Sequence, residues 1–97
     1  MSPEKKSEEF YRKLRGQLYE TASWPSLYLY KFIVPTNTEK IRQIEELFNN
    51  LGAVITTKVS GKGTYTSVSV NLKMKDPDAV IAKYKEVALK VEGVISL

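Results

Sequence analysis

The chain has 97 residues, which is enough for one domain with one modest hydrophobic core. Fifteen Lys and Arg residues against eleven Asp and Glu residues leave a formal net charge of +4, a mildly basic balance. The sequence contains neither cysteine nor histidine, which excludes disulfides, thiol nucleophiles, Ser-His-Asp triads and the usual zinc sites. No apolar run approaches the ~20 residues of a membrane span, and the charged N-terminus lacks a signal-peptide core. We therefore expect a cytoplasmic protein that makes no contact with a membrane.

The first 23 residues are predicted to form an N-terminal helical extension. Phe10, Leu14 and Leu18 recur at every fourth position, a spacing that places one apolar stripe along a helix. The pair Trp24-Pro25 ends this helix, because the residue before a proline is disfavoured in helical geometry. The chain is therefore divided into the extension, residues 1–23, and an α/β domain, residues 24–97.

Strands and helices alternate in the predicted domain. Runs of β-branched and aromatic residues predict strands at 27–34, 54–60, 64–75 and 94–97. One helix is predicted between Thr36 and Gly52, opened by the capping-box spacing of Thr36 and Glu39 and closed by the glycine. A second helix is expected to begin at Asp76-Pro77, as N-cap and first helical residue.

This order predicts an α+β fold, the ferredoxin-like βαββαβ plait with an extra N-terminal helix. Its four strands form one antiparallel sheet, and right-handed crossovers place both helices of the plait on the same face. The other face of the sheet is left open.

Side-chain alternation predicts which residues lie on that open face. The third strand directs its apolar row to the helices, so its polar row faces outward: Tyr65, Ser67, Ser69, Asn71 and Lys73. If Lys31 also faces outward, the first strand places Leu27, Leu29 and Ile33 beside it and turns Tyr28, Tyr30 and Phe32 into the core. By the same rule Lys58 is open, whereas Ile55 and Val59 are buried.

The open face is predicted to be basic and partly apolar. No Asp or Glu falls within the predicted strands, so the face favours an anionic ligand or partner and offers no carboxylates for a metal ion. The simpler alternative is that sheet lysines only maintain solubility and guard against strand pairing. The apolar patch of Leu27, Leu29 and Ile33 needs a cover, and we expect the N-terminal helix to provide it. A second chain, forming a homodimer, is the other candidate cover.

Two local motifs have simple structural explanations. Ser60-Gly-Lys-Gly63 lacks the spacing of a P-loop and precedes a strand, so it is predicted to be a hairpin turn. Lys62-Gly63 also resembles the start of an RNA-binding RNP1 motif. The residues that follow supply a single aromatic side chain, Tyr65, so nucleic acid is not the expected partner.

Two segments resemble a known family. Trp24-Pro25, with Tyr30-Lys31 after it, and the run Ser60-Gly-Lys-Gly-Thr-Tyr-Thr-Ser-Val-Ser69 are similar to the YbeD-like family. These are small bacterial proteins of unknown function that carry the label of lipoate regulatory protein. The resemblance covers residues 24–97 and implies a plait similar to the ACT regulatory domain, which binds small effectors and forms dimers. The recurring residues of the family correspond here to Pro25, Lys31, Lys62, Gly63, Tyr65, Ser67 and Ser69.

Together these observations predict a non-enzymatic regulatory or binding protein without a cofactor or metal. Its expected ligand is a small anion or a protein partner, held on the open sheet face by Lys31, Lys62, Gly63, Tyr65, Ser67 and Ser69. The alternatives from other classes are an RNA-binding plait and a purely structural dimerisation module.

Overall fold

The computed structural model describes residues 3–96 and contains one four-stranded sheet with three helices. In chain order the elements are α1 (Pro3–Thr21), β1 (Ser26–Pro35), α2 (Thr38–Leu47), β2 (Val54–Val59), β3 (Tyr65–Met74), α3 (Pro77–Lys90) and β4 (Ile95–Ser96). The strands are antiparallel, in the order β2-β3-β1-β4. The predicted α+β class with a four-stranded antiparallel sheet is confirmed, and the arrangement is consistent with a ferredoxin-like plait. Leu97, predicted to end the last strand, lies outside the described residues.

No helix within residues 3–96 combines the length and the apolar composition that crossing a membrane requires.

The core lies between the sheet and its helices, and β1 contributes the largest side chains. Tyr30, Phe32 and Val34 are fully buried, each opposite an apolar residue or threonine of β3. The rings of Tyr30 and Phe32 stack with their centroids 5.6 Å apart, and Tyr30 meets Tyr84 of α3 edge-on at 4.8 Å. Burial raises the pKa of the Tyr30 phenol, which stays neutral and donates to the Val80 carbonyl over 3.0 Å.

The boundaries of α2 differ from the prediction at both ends. Asn37, not Thr36, is the N-cap, and its side chain accepts from the backbone N–H groups of Glu39 and Lys40. The Thr36 hydroxyl instead contacts the Thr66 hydroxyl of β3 at 3.0 Å. The helix ends at Leu47, before Gly52, because the next two N–H groups bond three residues back and tighten the last turn.

The expected position of the N-terminal helix is wrong, because α1 packs against α3 on the helical side of the sheet. Tyr11 stacks on Tyr84 with centroids 6.3 Å apart, and the Tyr19 hydroxyl donates to Asp78 over 2.7 Å. Arg15 adds an ion pair to the same carboxylate. Among the residues that the structure describes, nothing covers the open face, and Leu27 is 70% exposed and Leu29 59% exposed.

The predicted burial of β2 is also partly wrong. Val59 lies opposite Thr66, on the helical face as expected, yet its side chain is 55% exposed. β2 is an outer strand of the sheet and Val59 is its last residue, so the helices do not cover it. Ile55, nearer the middle of the strand, is half-buried against the core.

We expect Phe32→Ala to lower the free energy of unfolding by about 3–5 kcal/mol, because it leaves a cavity beside Tyr30 and Phe48. Leu29→Ala, three residues earlier on the opposite face, should lower it by less than about 1 kcal/mol. Urea denaturation followed by far-ultraviolet circular dichroism measures both values. Equal losses would contradict the assignment of the two faces of β1.

Acid is expected to loosen the contact between α1 and α3. Hydrogen bonds from Arg15 and then from Tyr19 hold the pKa of the Asp78 carboxyl below its ordinary value. A carboxyl with a lowered folded-state pKa contributes stability above its unfolded pKa, and the contribution is lost as the pH falls below about 4. The effect should be small because both partners are half exposed.

The measurement is the carboxyl carbon shift of Asp78 as a function of pH. Arg15→Gln should raise the pKa of Asp78 towards its ordinary value. Arg42→Gln, which removes an arginine paired with Glu39 and Glu46 on α2, is the matched control and should leave it unchanged. An Asp78 pKa that does not respond to Arg15→Gln would show that this ion pair does not form in solution.

Candidate functional site

Two rows of side chains cross the open face near the β2–β3 hairpin. In the first row the register aligns Lys58 of β2, Ser67 of β3 and Ile33 of β1. In the second row it aligns Thr56, Ser69 and Lys31. The two lysines lie on β1 and β2, on either side of β3, and their rows are two residues apart along β3. Their Cβ atoms are therefore roughly 12 Å apart. Both serines belong to β3, which lies between the two strands that carry these lysines.

A shallow depression of about 190 Å³ lies at the hairpin end of this surface. Its walls come from the end of β2, the turn that follows it, the start of β3 and one residue of β1: Ile33, Lys58, Val59, Ser60, Gly61, Tyr65 and Ser67. The Tyr65 side chain is 48% exposed, and the Ser67 hydroxyl makes only a long contact, 3.4 Å, to the Lys58 carbonyl. Both hydroxyl groups can therefore turn towards a ligand.

The hairpin turn beside the depression is organised by Ser60. Its backbone N–H donates to the Tyr65 carbonyl over 2.8 Å, and its carbonyl accepts from Gly63 over 2.8 Å. Gly63 has φ +73°, a conformation that L side chains rarely adopt, and a Cβ added there would have no atom within 4 Å. The turn thus needs glycine for its backbone conformation and not for a close approach to another group.

The charges on this face all have one sign. Within residues 3–96, none of the four strands contains Asp or Glu, whereas Lys31, Lys58 and Lys73 all occupy open-face positions of the register. Acidic side chains lie on the helices, where several pair with neighbouring cations, such as Glu39 with Arg42. The open face consequently attracts anions and repels cations.

Three larger depressions lie elsewhere on the described surface and are less suited to an anion: one, of about 480 Å³, is lined by Glu46, and the other two each contain an ion pair. The first of these two, of about 380 Å³, lies between α1 and α3 and contains the Arg15–Asp78 ion pair. The other, of about 520 Å³, lies beside α3 and contains the Lys83–Glu86 ion pair. In each, a carboxylate of the protein already neutralises a cation.

The predicted site residues fall into two groups. Tyr65 and Ser67 line the depression, and Lys31 and Ser69 occupy the neighbouring row of the same face. Lys62 and Gly63 lie in the exposed turn and do not line it.

Sequence reasoning missed Thr56 and Ile95 as members of the open face. Thr56 could have been found by extending the alternation of β2 back from Lys58. Ile95 could not, because its place depends on the pairing of β4 with β1 opposite Ile33.

Comparison of the sequence with family models, with curated proteins and with solved structures finds no match. The resemblance to the YbeD-like family therefore stays a prediction.

We expect Gly63→Ala to destabilise the protein by about 1–2 kcal/mol, because alanine is strained at a positive φ. Gly61→Ala, two residues earlier in the same turn and without a positive φ, is the matched control and should change stability by less than about 0.5 kcal/mol. Thermal unfolding of both variants measures the difference. Equal stability of the two variants would contradict the turn geometry.

Proposed function

We propose that this protein is a non-enzymatic binding protein that holds an anionic group on the open face of its sheet. The observation that carries the proposal is the pairing of Lys31 and Lys58 around Ser67 and Ser69, on a face whose strands contain no carboxylate. The lysines supply charge, and the hydroxyls of Ser67, Ser69 and Tyr65 supply hydrogen bonds.

The size of the depression limits what it can hold. At about 190 Å³ it is smaller than the ~300–1,000 Å³ of typical sites for drug-sized molecules. We infer that the bound group is a single carboxylate or phosphate, belonging to a small effector or to a protein partner. A site this shallow does not exclude water, which argues for binding rather than for acid–base chemistry.

The finer description of the fold belongs to the same proposal. The strand order β2-β3-β1-β4 and the two crossover helices support a ferredoxin-like plait related to the ACT regulatory domain, with α1 as an addition to it. That relationship favours a regulatory role, and the cytoplasm is the proposed location because the sequence contains no cysteine.

RNA binding is the weaker alternative. Single-stranded RNA is commonly bound by aromatic side chains that stack on its bases, and on this fold those side chains belong on the open faces of the central strands. Tyr28, Tyr30 and Phe32 of β1 all turn towards the helices, which leaves Tyr65 to act alone.

An amide chemical-shift titration of the ¹⁵N-labelled protein tests the proposal. The panel consists of lipoate, octanoate, several amino acids, inorganic phosphate and a short single-stranded RNA. We expect saturable shifts at Lys31, Lys58, Tyr65, Ser67 and Ser69 with at least one anion, and weaker binding as the salt concentration rises.

A double variant, Lys31→Gln with Lys58→Gln, should weaken that binding by roughly fivefold or more. Lys90→Gln, a matched change at the exposed end of α3, should leave it unaltered. Saturable shifts with RNA alone would replace the proposal with its alternative. The absence of saturable shifts at these residues with every anion would refute it.

A further inference from the structure

The outer edge of β1 is largely unpaired among the described residues. β1 has ten residues and pairs with β3 along its whole length. On its other side, β4 has only two residues, which lie opposite Phe32 and Ile33. Within residues 3–96, the half of β1 from Ser26 to Tyr30 therefore has no strand partner on this side, and it lies at the opposite end of the sheet from the Lys58–Tyr65 depression.

The backbone groups that face this edge are identified from one hydrogen bond next to β1 and from the pairing of β1 with β4. Thr36 N–H donates to the Thr64 carbonyl over 3.0 Å, just beyond the end of β1, so even-numbered residues of β1 bond towards β3. The backbone N–H and C=O groups of odd-numbered residues then point away from β3, to the side on which Ile33 lies opposite Ile95 of β4. Leu27 and Leu29 accordingly direct their N–H and C=O groups outward, and only the Leu27 carbonyl has a local contact, at 3.4 Å from the Ser26 hydroxyl.

The side chains along the edge are apolar at one end and cationic at the other. Leu27 is 70% exposed and Leu29 is 59% exposed, both on the open face, and Lys31 follows them on the same face. Lys73 lies directly across from Leu27 on β3. The edge thus combines unpaired backbone groups, an apolar strip and two lysines with no carboxylate in any described strand.

We propose that this edge binds an extended, acidic segment of another protein, which adds to the sheet as a strand antiparallel to β1. Backbone hydrogen bonds to Leu27 and Leu29 would supply affinity, and alternate side chains would supply specificity. In the antiparallel direction the segment carries an acidic residue opposite Lys31, then apolar residues opposite Leu29 and Leu27, which gives the pattern acidic-x-apolar-x-apolar.

Charge favours this occupant over a second copy of the chain. If two β1 edges paired antiparallel about Leu29, each Lys31 would lie opposite Leu27 of the other copy and would find no carboxylate in that strand to neutralise it. An acidic segment neutralises the lysine and still covers the leucines. The inference goes beyond the anion site, because it adds the backbone groups and leucines at the other end of β1 and shares only Lys31 with that site.

The test uses a fluorescent peptide of nine residues with Asp-Thr-Val-Thr-Ile at its centre. Anisotropy should show saturable binding to the full chain. Replacing the Asp with Lys, or methylating the backbone nitrogens that face the edge, should each weaken binding by roughly tenfold. Hydrogen exchange gives the structural signature: the peptide should slow exchange of the Leu29 amide at least tenfold and leave the already bonded Tyr30 amide unchanged.

Three variants separate this edge from other surfaces. Leu29→Glu should abolish peptide binding, whereas Leu89→Glu, the same change at a leucine of α3 that is 85% exposed, should not affect it. Lys58→Gln should also leave peptide binding intact, so failure of the anion site and failure of the strand edge can be told apart. Circular dichroism checks that each variant is folded.

Each other outcome overturns the proposal. Peptide binding without protection of Leu29 would mean that side chains alone make the contact. Protection of Leu29 that depends on protein concentration, without peptide, would assign the edge to a second copy. A lack of peptide binding together with fast Leu29 exchange at all concentrations would show that the edge stays free.

Discussion

The antiparallel pairing of β1 with β3 along ten residues is the constraint on which the other features of this protein depend. Directly opposed residues of paired strands point to the same face of the sheet. The register of this pairing therefore decides which side chains of both strands face the helices and which lie on the open face. It turns Tyr30, Phe32 and Val34 towards the helices and leaves Leu29 and Lys31 on the opposite side. A slip of one residue would place the aromatic rings in water and a lysine in the core, so burial holds the register strongly.

The separation of charge between sheet and helices follows from the same arrangement. The helices expose wide polar faces, on which acidic and basic residues alternate and pair, as Arg42 does with Glu39 and Glu46. The open sheet face carries lysines, hydroxyls and leucines without carboxylates. A protein with a net charge of only +4 thereby acquires one surface with a clear preference for anions.

Because α1 packs against α3, it does not cover the open face of the sheet. Tyr11, Arg15 and Tyr19 attach the helix to Tyr84 and Asp78 of α3. Of its apolar stripe, Leu14 and Leu18 extend the core on the helical side, whereas Phe10 stays exposed. An amphipathic helix can bury its stripe against any apolar surface of matching shape. In this protein the helix makes aromatic and charged contacts with α3 instead, so the leucines of β1 stay exposed.

Much of the architecture can be predicted from the sequence, because strand alternation, the Asp76 cap and the glycine of the hairpin turn are local properties. The sequence by itself determined the two faces of β1 and β3, and with them the lysines and hydroxyls of the candidate site. Tertiary structure alone decided that Asn37 caps α2, that Val59 is exposed, that α1 lies on α3 and that Ile95 of β4 lies opposite Ile33 of β1. These outcomes depend on competition between surfaces distant in the chain, and the free energy of each contact depends on the neighbours that only the folded protein brings together.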